Sequence, residues 1–497
     1  TDLVRVIEGS GRAVVEFAPR LDFGRFPTQL ERRDGGLEVV NAADLVVLRS
    51  PGVEWTILNA GVHQTARAEI DLDRGPVTLE MRCGTASMRP DRTDEIRRRE
   101  RTTDFWRHWA QTLELPAVSP EMVRRSALTL KALCYGPAGS ILAAATTSLP
   151  EMLGGVRNWD SRYCWIRDAS MSASALVRRG SIEEAMDFLD WLLGVIDHSE
   201  VGPERLAPLY TVNGQSLPPE ATIEELAGYA GSRPVRVGNA ADHQVQLDVF
   251  GPVLELIHQL GEVHAPLSAR HWRLVEDLVG AVDQRWTEPD QGIWEVRSAP
   301  RHHVHSKTMC WVTVDRAVRI AENVFGRERP EWEILRDRIR DDILTNGWDD
   351  EIGSFTTAYD GTDLDASVLA IGLFGLLEPE DSRFASTVAA VETWLRTGDT
   401  VRRYTHEDGL PGEEGGFNLM TSWLIDAKLL TGDVDEARRL FDVYLDLAGP
   451  TGLLAEEVDL HTGRGLGNHP QAYSHLGLIQ NACNLAALGV DADRVRG

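Results

Sequence analysis

The 497-residue sequence predicts a mainly α-helical protein: an (α/α)6 toroid preceded by an N-terminal β-sandwich domain, which is either complete or lacks its first strands. Three observations carry this prediction. The first ninety residues contain short runs rich in β-branched residues. The rest of the chain contains about twelve apolar segments of helical period. The links between those segments alternate between short and long.

Residues 1–90 are expected to form the sandwich. Turn signals such as Asp34-Gly35-Gly36 and Ser50-Pro51-Gly52 separate its strand-like runs. These runs are 3–7, 13–17, 37–40, 45–48 and 77–81. Residues 91–118 should form a linker, because 93–111 reads as a charged helix with Phe105, Trp106 and Trp109 along one stripe.

Residues 119–497 are expected to form the toroid. The links after the second, fourth and later even-numbered helices are very short, as at Gly180 and Gly432, whereas those after odd-numbered helices span roughly 18 to 43 residues. Short links join antiparallel neighbours, so six hairpins closed into a ring place all six long loops on one face. An open α-solenoid is the alternative, and it predicts internal repeats, which the sequence does not show. The predicted helices are 120–134, 166–179, 181–197, 241–261, 267–286, 306–325, 330–346, 365–376, 380–395, 416–431, 433–448 and 470–488.

Composition narrows the choice of partners. Acidic residues outnumber basic ones by 77 to 51, and the net charge of −26 argues against nucleic acid and against an anionic membrane surface. The five cysteines are scattered without CxxC spacing, which favours reduced thiols in a cytoplasmic protein. No apolar run approaches the length of a membrane span. The first residues already follow a strand-like pattern, so we expect the natural N-terminus to be missing, with or without a signal peptide.

The densest mixture of aromatic and charged residues lies between positions 157 and 168. An unpaired buried charge costs more free energy than neighbouring rings return, and a solvated loop needs no large aromatics. The mixture is therefore typical of the wall of a wet pocket for a polar, hydroxyl-bearing ligand such as a sugar. A buried salt-bridge cluster under a loop is the alternative. The segment contains Arg157, Trp159, Asp160, Arg162, Tyr163, Trp165, Arg167 and Asp168.

The later long loops carry similar chemistry in residues 229–239, 292–297, 348–351, 402–414 and 454–459. Carboxylates on two different loops suit glycoside hydrolysis, in which one protonates the leaving oxygen and the other activates water. Taken singly, the acids at 349–351 and 413–414 are more typical of solvated loops. His302, His303 and His305 could indicate zinc, but no acidic or cysteine ligand stands at motif spacing, so no metal and no cofactor is predicted.

Five motifs resemble the glucoamylase-type glycoside hydrolases, family 15, in the bacterial branch that includes glucoamylases, glucodextranases and trehalases. The resemblance covers essentially the whole chain, including the sandwich. The usual family motif Asn-Trp-Asp-Tyr-Arg has Ser161 in place of the tyrosine here. The five motifs are NWDSRYCWIRD, GYAGSRPVRVGNAADHQVQLDVFG, GIWEVR, DGLPGEEGGF and AEEVDLHTGRGLGNHPQAYSHLGLI.

This resemblance implies roles for individual residues. Glu295 matches the family's general acid and Glu456 its general base, and the family inverts the anomeric configuration. The neighbouring Glu457 is the alternative base. The residues expected to bind substrate are Trp159, Asp160, Arg162, Trp165, the pair Arg167 and Asp168 on the terminal glucose hydroxyls, Arg236, Trp294, and the pair Arg403 and Tyr404 near the same sugar.

The expected function is that of an inverting, exo-acting α-glucoside hydrolase. It would release β-D-glucose from the non-reducing end of trehalose or of short α-gluco-oligosaccharides. That small molecule is the expected partner, with no nucleic acid and no membrane, and the sequence leaves the oligomeric state open. Maltooligosaccharides and α-1,6-linked glucans remain open as substrates, but a short substrate is favoured because no starch-binding domain or secretion signal is visible. An α-glucoside phosphorylase and a catalytically silent glycan-binding toroid are the alternative functions.

Overall fold

The computed structural model describes residues 2–199, 201–359 and 361–489. The chain divides into two compact units, residues 1–111 and 112–497. No helix in the described ranges is long and apolar enough to cross a membrane.

The first unit contains two antiparallel sheets formed by eight strands. The strands are β1 (Asp2–Ile7), β2 (Arg12–Phe17), β3 (Gln29–Arg33), β4 (Gly36–Val40), β5 (Val46–Arg49), β6 (Thr56–Ala60), β7 (His63–Asp71) and β8 (Val77–Cys83). One sheet has the order β1-β8-β5-β4-β3 and the other the order β2-β7-β6. Side chains from both sheets, including Leu37 and Leu48 from the first and Ala66 and Ala68 from the second, form one core around Trp55. This packing confirms the sandwich.

Each of the five predicted runs coincides with a strand, but the prediction omitted β3, β6 and β7. The reason is composition, since β7 places only small side chains such as Ala66 and Ala68 into the core and alternates them with polar residues. The helix α1 (Glu95–Thr112) follows and confirms the helix expected at 93–111.

Twelve α-helices form the second unit, and they confirm the predicted number for the described ranges. They are α2 (Pro120–Leu133), α3 (Ile166–Val177), α4 (Glu183–His198), α5 (Phe250–Glu262), α6 (Ala269–Arg285), α7 (Val304–Asn323), α8 (Pro330–Asn346), α9 (Ala370–Leu373), α10 (Ser382–Leu395), α11 (Asn418–Leu430), α12 (Val434–Asp446) and α13 (Ala472–Ala487).

Six of these helices form a closed inner ring. Going around it, α3 packs on α5, α5 on α7, α7 on α9, α9 on α11, α11 on α13, and α13 returns to both α2 and α3. In the part of the chain that the structure describes, this closure confirms the (α/α)6 toroid and excludes an open solenoid. Every inner helix is entered from a long loop, so all six inner helices begin at the same end of the ring. The long loops therefore share one face.

Two helix predictions need correction. The helix predicted from residue 241 begins only at Phe250, because residues 240–249 form two 3-10 turns, Ala240–His243 and Leu247–Val249. The side chain of Asp248 in the second turn is fully buried and accepts a hydrogen bond from Arg167. This segment therefore forms part of the long-loop face of the ring and does not extend the helix. The segment predicted as helix 365–376 is likewise a 3-10 turn, Ala366–Leu369, followed by the short α9.

Pairs of two-residue strands brace the long loops. One three-stranded ladder joins Gly416–Phe417 to Glu457–Val458 and then to Gly465–Leu466, so it ties the loop before α11 to the loop before α13. The others are Cys134–Tyr135 with Ser140–Ile141, Cys164–Trp165 with Leu209–Tyr210, Ala221–Thr222 with Arg236–Val237, Trp348–Asp349 with Ser354–Phe355, and Arg396–Thr397 with Thr400–Val401.

Candidate active site

The long-loop face of the ring contains a cavity of about 710 Å³, measured with the open space at its mouth. Five of the six long loops, together with the first residues of α3 and α13, supply its walls. The lining residues are Ala143, Glu151, Arg157, Trp159, Asp160, Ser161, Trp165, Arg167, Asp168, Asn239, Ile293, Trp294, Glu295, Arg297, Arg403, Tyr404, Leu410, Phe417, Glu456, Gln471 and Tyr473. Residues up to 330 positions apart in sequence thus meet around one space.

The cavity brings together most of the side chains that the sequence singled out. Those that line it are Trp159, Asp160, Trp165, Arg167, Asp168, Trp294, Glu295, Arg403, Tyr404 and Glu456. Arg162 and Arg236 do not line it. Arg162 forms a two-pronged ion pair with Asp160, with both N–O distances at 2.8 Å, and the guanidinium of Arg236 lies 4.4 Å from the ring centre of Trp159. Both residues support wall residues from behind.

Arg167 and Asp168 lie in the first turn of α3 and are buried. The Arg167 guanidinium donates to Asp248 Oδ2 at 2.7 Å and to Gln246 Oε1 at 3.2 Å, and its Nε donates to the Tyr473 hydroxyl. These bonds fix the guanidinium in orientation. Burial raises the pKa of Asp168 to about 6, against the lowering effect of the adjacent Arg167. Its Oδ1 atom lies 3.7 Å from Arg167 Nε and has no hydrogen-bond partner among the described residues.

Glu295 stands in the loop before α7 with a backbone φ of +58°. A non-glycine residue in this region carries about 1–2 kcal/mol of strain, and such strain is concentrated at functional sites. The Gln244 amide donates to the carbonyl oxygens of Glu295 and Val296 at 3.3 Å and holds this turn. Burial raises the pKa of the Glu295 carboxyl to about 7, although a hydrogen bond from Asn239 and three arginines oppose the shift.

Trp294, next to Glu295, is anchored from behind. Its indole N–H donates to Asp365 Oδ2 at 2.8 Å, and its ring packs edge-on against Phe417 with centres 5.1 Å apart. His303 and His305 lie behind the same ring, and burial lowers the pKa of each to about 4. These histidines are therefore neutral at pH 7 and bring no positive charge to Glu295.

Glu456 approaches the cavity from the loop before α13. Its Oε2 accepts a hydrogen bond from the backbone N–H of Asn468 at 3.1 Å, and its carboxylate receives another from the Gln471 side chain. Burial, reinforced by the negative charge of Glu414, raises its pKa, whereas these hydrogen bonds and Arg403 lower it. Gly467 leaves space for this carboxylate, because a Cβ atom there would lie 2.8 Å from Glu456 Oε2.

Arg403 sits at the centre of three carboxylates. Its Nη2 lies 3.3 Å from Glu151 Oε2 and 3.7 Å from Glu457 Oε1, and it also pairs with Glu414. Burial raises the pKa of Glu151 to about 8 and that of Glu457 well above its ordinary range. These three carboxylates are the described group whose oxygens converge within 4.8 Å, as metal ligands would, but Arg403 already supplies the positive charge there. Arg403 therefore explains the cluster as an ion-pair network.

Glu457, the alternative base, is completely buried and does not line the cavity. Its Oε2 accepts the backbone N–H of Gly415 at 2.7 Å, and it pairs across the ladder with Phe417. Of the two adjacent glutamates, Glu456 is the one that reaches the cavity.

Several lining residues had not been assigned roles. Asn239 lies within one of the five motifs, and Gln471 and Tyr473 lie within another. The sequence therefore marked these segments, but it could not show that these three side chains face the cavity. Glu151 follows Pro150 in an irregular loop, and no local pattern distinguishes it from a solvated acid. Its position at Arg403, 252 residues away in sequence, depends on ring closure.

Two family descriptions match the chain. Residues 117–482 match the family described as Glycosyl hydrolases family 15, and residues 1–106 match the one described as Trehalase-like, N-terminal. A protein named trehalase from Mycobacterium tuberculosis is 36% identical over 499 residues, 99% of this chain and 73% of that protein. A trehalase from Thermoplasma acidophilum is 37% identical over 400 residues, 80% of this chain and 68% of that protein.

Solved structures share the fold at low sequence identity. A bacterial glucoamylase complexed with acarbose has a TM-score of 0.73 at 15% identity, and the match covers all of this chain and 82% of that one. A glycosidase variant in complex with glucose has a TM-score of 0.57 at 22% identity, covering 73% of this chain and 96% of that one. At these identities, the two matches support the fold alone.

Proposed function

The chain belongs to the glycosyl hydrolases family 15, and we propose that within this family it is an inverting, exo-acting hydrolase of trehalose. The observation that carries the mechanism is that Glu295 and Glu456 line one cavity from different loops, each held by its own hydrogen bonds. Two separately held carboxylates are what this chemistry requires.

Glu295 is the general acid of this proposal. With a pKa of about 7, a substantial fraction of its carboxyl groups is protonated near neutral pH, so it can donate that proton to the oxygen that links the two glucose units. Bond breaking between this oxygen and the anomeric carbon then releases neutral glucose. The anchored Trp294 and the hydrogen bond from Asn239 keep the carboxyl in place.

Glu456 is the general base. It takes a proton from a water molecule that attacks the same anomeric carbon from the opposite face. Inverting enzymes hold their two carboxyl groups roughly 6.5–9.5 Å apart to admit this water, and we expect that separation here. Asp168 and Arg167 bind hydroxyls of the attacked sugar, and Arg403 with Tyr404 lines the same cavity.

Trehalose is the proposed substrate because proteins named trehalase share 36–37% of their residues with this chain over most of its length. A sugar-release assay over trehalose, maltose, isomaltose and soluble starch tests this choice. We expect the highest kcat/KM on trehalose. A higher kcat/KM on maltose or starch would reject trehalose as the substrate and leave the hydrolase assignment intact.

Water, and not phosphate, is the proposed nucleophile, because Glu456 offers the base that a phosphorylase does not need. In phosphate-free buffer, we expect full activity and two glucose molecules for each trehalose consumed. Strict dependence on phosphate with release of glucose 1-phosphate would reject hydrolysis.

The two adjacent glutamates can be separated by rescue with azide. Glu456→Ala removes the base but leaves space for a small anion, which can attack without needing deprotonation. We expect azide to restore turnover in Glu456→Ala with formation of β-glucosyl azide, and to have no such effect in Glu457→Ala. Rescue of Glu457→Ala alone would transfer the role of base to Glu457.

A further inference from the structure

Asn468 is a fully buried residue whose side-chain amide has every hydrogen-bonding position filled. Its Nδ2 donates to the Trp159 carbonyl and to Ser161 Oγ, both at 2.8 Å. Its Oδ1 accepts from Thr146 Oγ1 at 3.0 Å and from the Leu149 N–H at 3.4 Å. An amide has two N–H donors and two acceptor positions, so none is left over. The Trp159 carbonyl can only accept and the Leu149 N–H can only donate, so these two partners fix which end of the amide carries the oxygen.

The backbone of the same residue holds Glu456. The Asn468 N–H donates to the carboxylate Oε2 at 3.1 Å, and the Asn468 carbonyl accepts the Glu456 N–H at 3.1 Å. The preceding residue, Gly467, donates its N–H to the Pro150 carbonyl at 2.8 Å. Gly467 and Asn468 therefore help to tie the loop that carries the base to the first long loop, which also forms the wall with Trp159.

We propose that Asn468 is a positioning residue that holds the catalytic base Glu456 in place. Its side chain locks the 468 backbone onto the first long loop, and the locked N–H then directs one hydrogen bond at the Glu456 carboxylate. This inference rests on the proposed role of Glu456 as base. It also assigns Ser161, the departure from the usual family motif, as an acceptor within the lock.

The charged groups that face Glu456 determine how its pKa would change if the Asn468 hydrogen bond were lost. Arg403 lowers the pKa of Glu456, whereas Glu414 raises it. Glu151, Glu457 and Asp168 also lie close enough to interact with Glu456 electrostatically. The groups that favour the ionised base are Arg403, the Gln471 side chain and the Asn468 N–H. Loss of this hydrogen bond should raise the pKa of Glu456.

Asn468→Asp tests the proposal with almost no change in volume. It removes both side-chain donors, leaves the Trp159 carbonyl with only its hydrogen bond from the Ser148 N–H, and adds a further negative group. We expect kcat on trehalose to fall by about 10- to 100-fold with little change in KM, because a displaced base affects the transition state more than substrate binding. We also expect the acidic limb of the kcat/KM profile to move to higher pH, by about 1 unit.

A matched control lies on α13. Asn481 is also fully buried, and its Nδ2 donates to the Ser422 carbonyl at 3.0 Å and to Asp426 Oδ1 at 2.8 Å, outside the lining of the active-site cavity. Asn481→Asp should lower the melting temperature without moving the pH profile of the folded enzyme. If Asn468→Asp folds poorly, Thr146→Val provides the second variant. It removes the hydroxyl that donates to Asn468 Oδ1 and accepts the His469 N–H at 2.9 Å, so it weakens the same lock and should shift the acidic limb in the same direction.

The outcomes separate this inference from the proposed function. An unshifted acidic limb and parental kcat in Asn468→Asp and Thr146→Val, with only the stability loss of the control, would overturn the positioning role. If Glu456→Gln is inactive in the same experiment, the proposed base still stands. If Glu456→Gln keeps parental turnover, the base assignment fails and the inference fails with it.

Discussion

Replacement of Glu295 by glutamine should inactivate the enzyme and, above neutral pH, stabilise it. The pKa of this carboxyl is about 7 in the folded protein, against an ordinary value of 4.5. Between these two pH values, the folded state binds a proton that the unfolded state has lost, so the stability of the parent falls as pH rises through this window. The difference of about 2.5 pH units corresponds to roughly 3 kcal/mol, fully developed above pH 7.

Glutamine carries no charge at any of these pH values, so Glu295→Gln escapes this loss. Thermal unfolding of parent and variant from pH 4 to pH 8 measures the effect. We expect similar stability near pH 4 and an advantage for the variant that grows as pH rises to about 8, by at most about 3 kcal/mol. Glu413→Gln is the matched control, since Glu413 is exposed and does not line the cavity, and its difference from the parent should change little with pH.

The kinetic side of this prediction uses leaving groups of different acidity. Glu295→Gln should lose about 10²- to 10⁴-fold in kcat on trehalose, because the sugar leaving group needs a proton. The loss should be much smaller on α-glucosyl fluoride, whose leaving group needs little assistance. Near-parental turnover on trehalose, or a stability difference that does not vary with pH, would refute the assignment of Glu295 as a buried acid.

Three further predictions concern the pH profile of Glu295 and the roles of Arg403 and Asp168. The kcat/KM of the parent on trehalose should fall above about pH 7 as Glu295 loses its proton, and a basic limb that persists unchanged in a Glu295 variant would contradict this. Arg403→Met should destabilise the fold by about 3–5 kcal/mol in denaturant titrations, because Glu151, Glu414 and Glu457 lose their shared cation; a loss below about 1 kcal/mol would show that the network is dispensable. Asp168→Asn should reduce kcat/KM on trehalose by at least about 10-fold while melting close to the parent, and unchanged kinetics would remove Asp168 from the sugar site.

The ring could be predicted from sequence because its signals are local and repetitive. Apolar residues at helical period indicate each helix, and a single glycine such as Gly180 or Gly432 between two helices indicates a hairpin. The segment before α5 could not be predicted in this way. Its apolar residues Val245 and Val249 are four positions apart, as on one face of a helix. The partner that holds Asp248 in the interior is Arg167, which lies 81 residues away in sequence.

The candidate site was predicted only in part. Motifs placed Glu295 and Glu456 on different loops, and the structure brings both to one cavity. They could not indicate that Arg236 stacks on Trp159 without lining the cavity, because the direction of a side chain depends on how the two loops are paired. Asn468 illustrates the same limit, since its four side-chain partners come from residues 146–161, more than 300 positions earlier.

The stereochemistry of trehalose hydrolysis tests the central claim most directly. Trehalose contains two α-linked anomeric carbons, and an inverting enzyme attacks one of them and releases the other unchanged. Proton NMR of the anomeric region, recorded before mutarotation, should therefore show α- and β-glucose appearing together in equal amounts. If α-glucose alone appeared first, the reaction would proceed with retention, and the assignment of Glu456 as a base acting on water would be wrong.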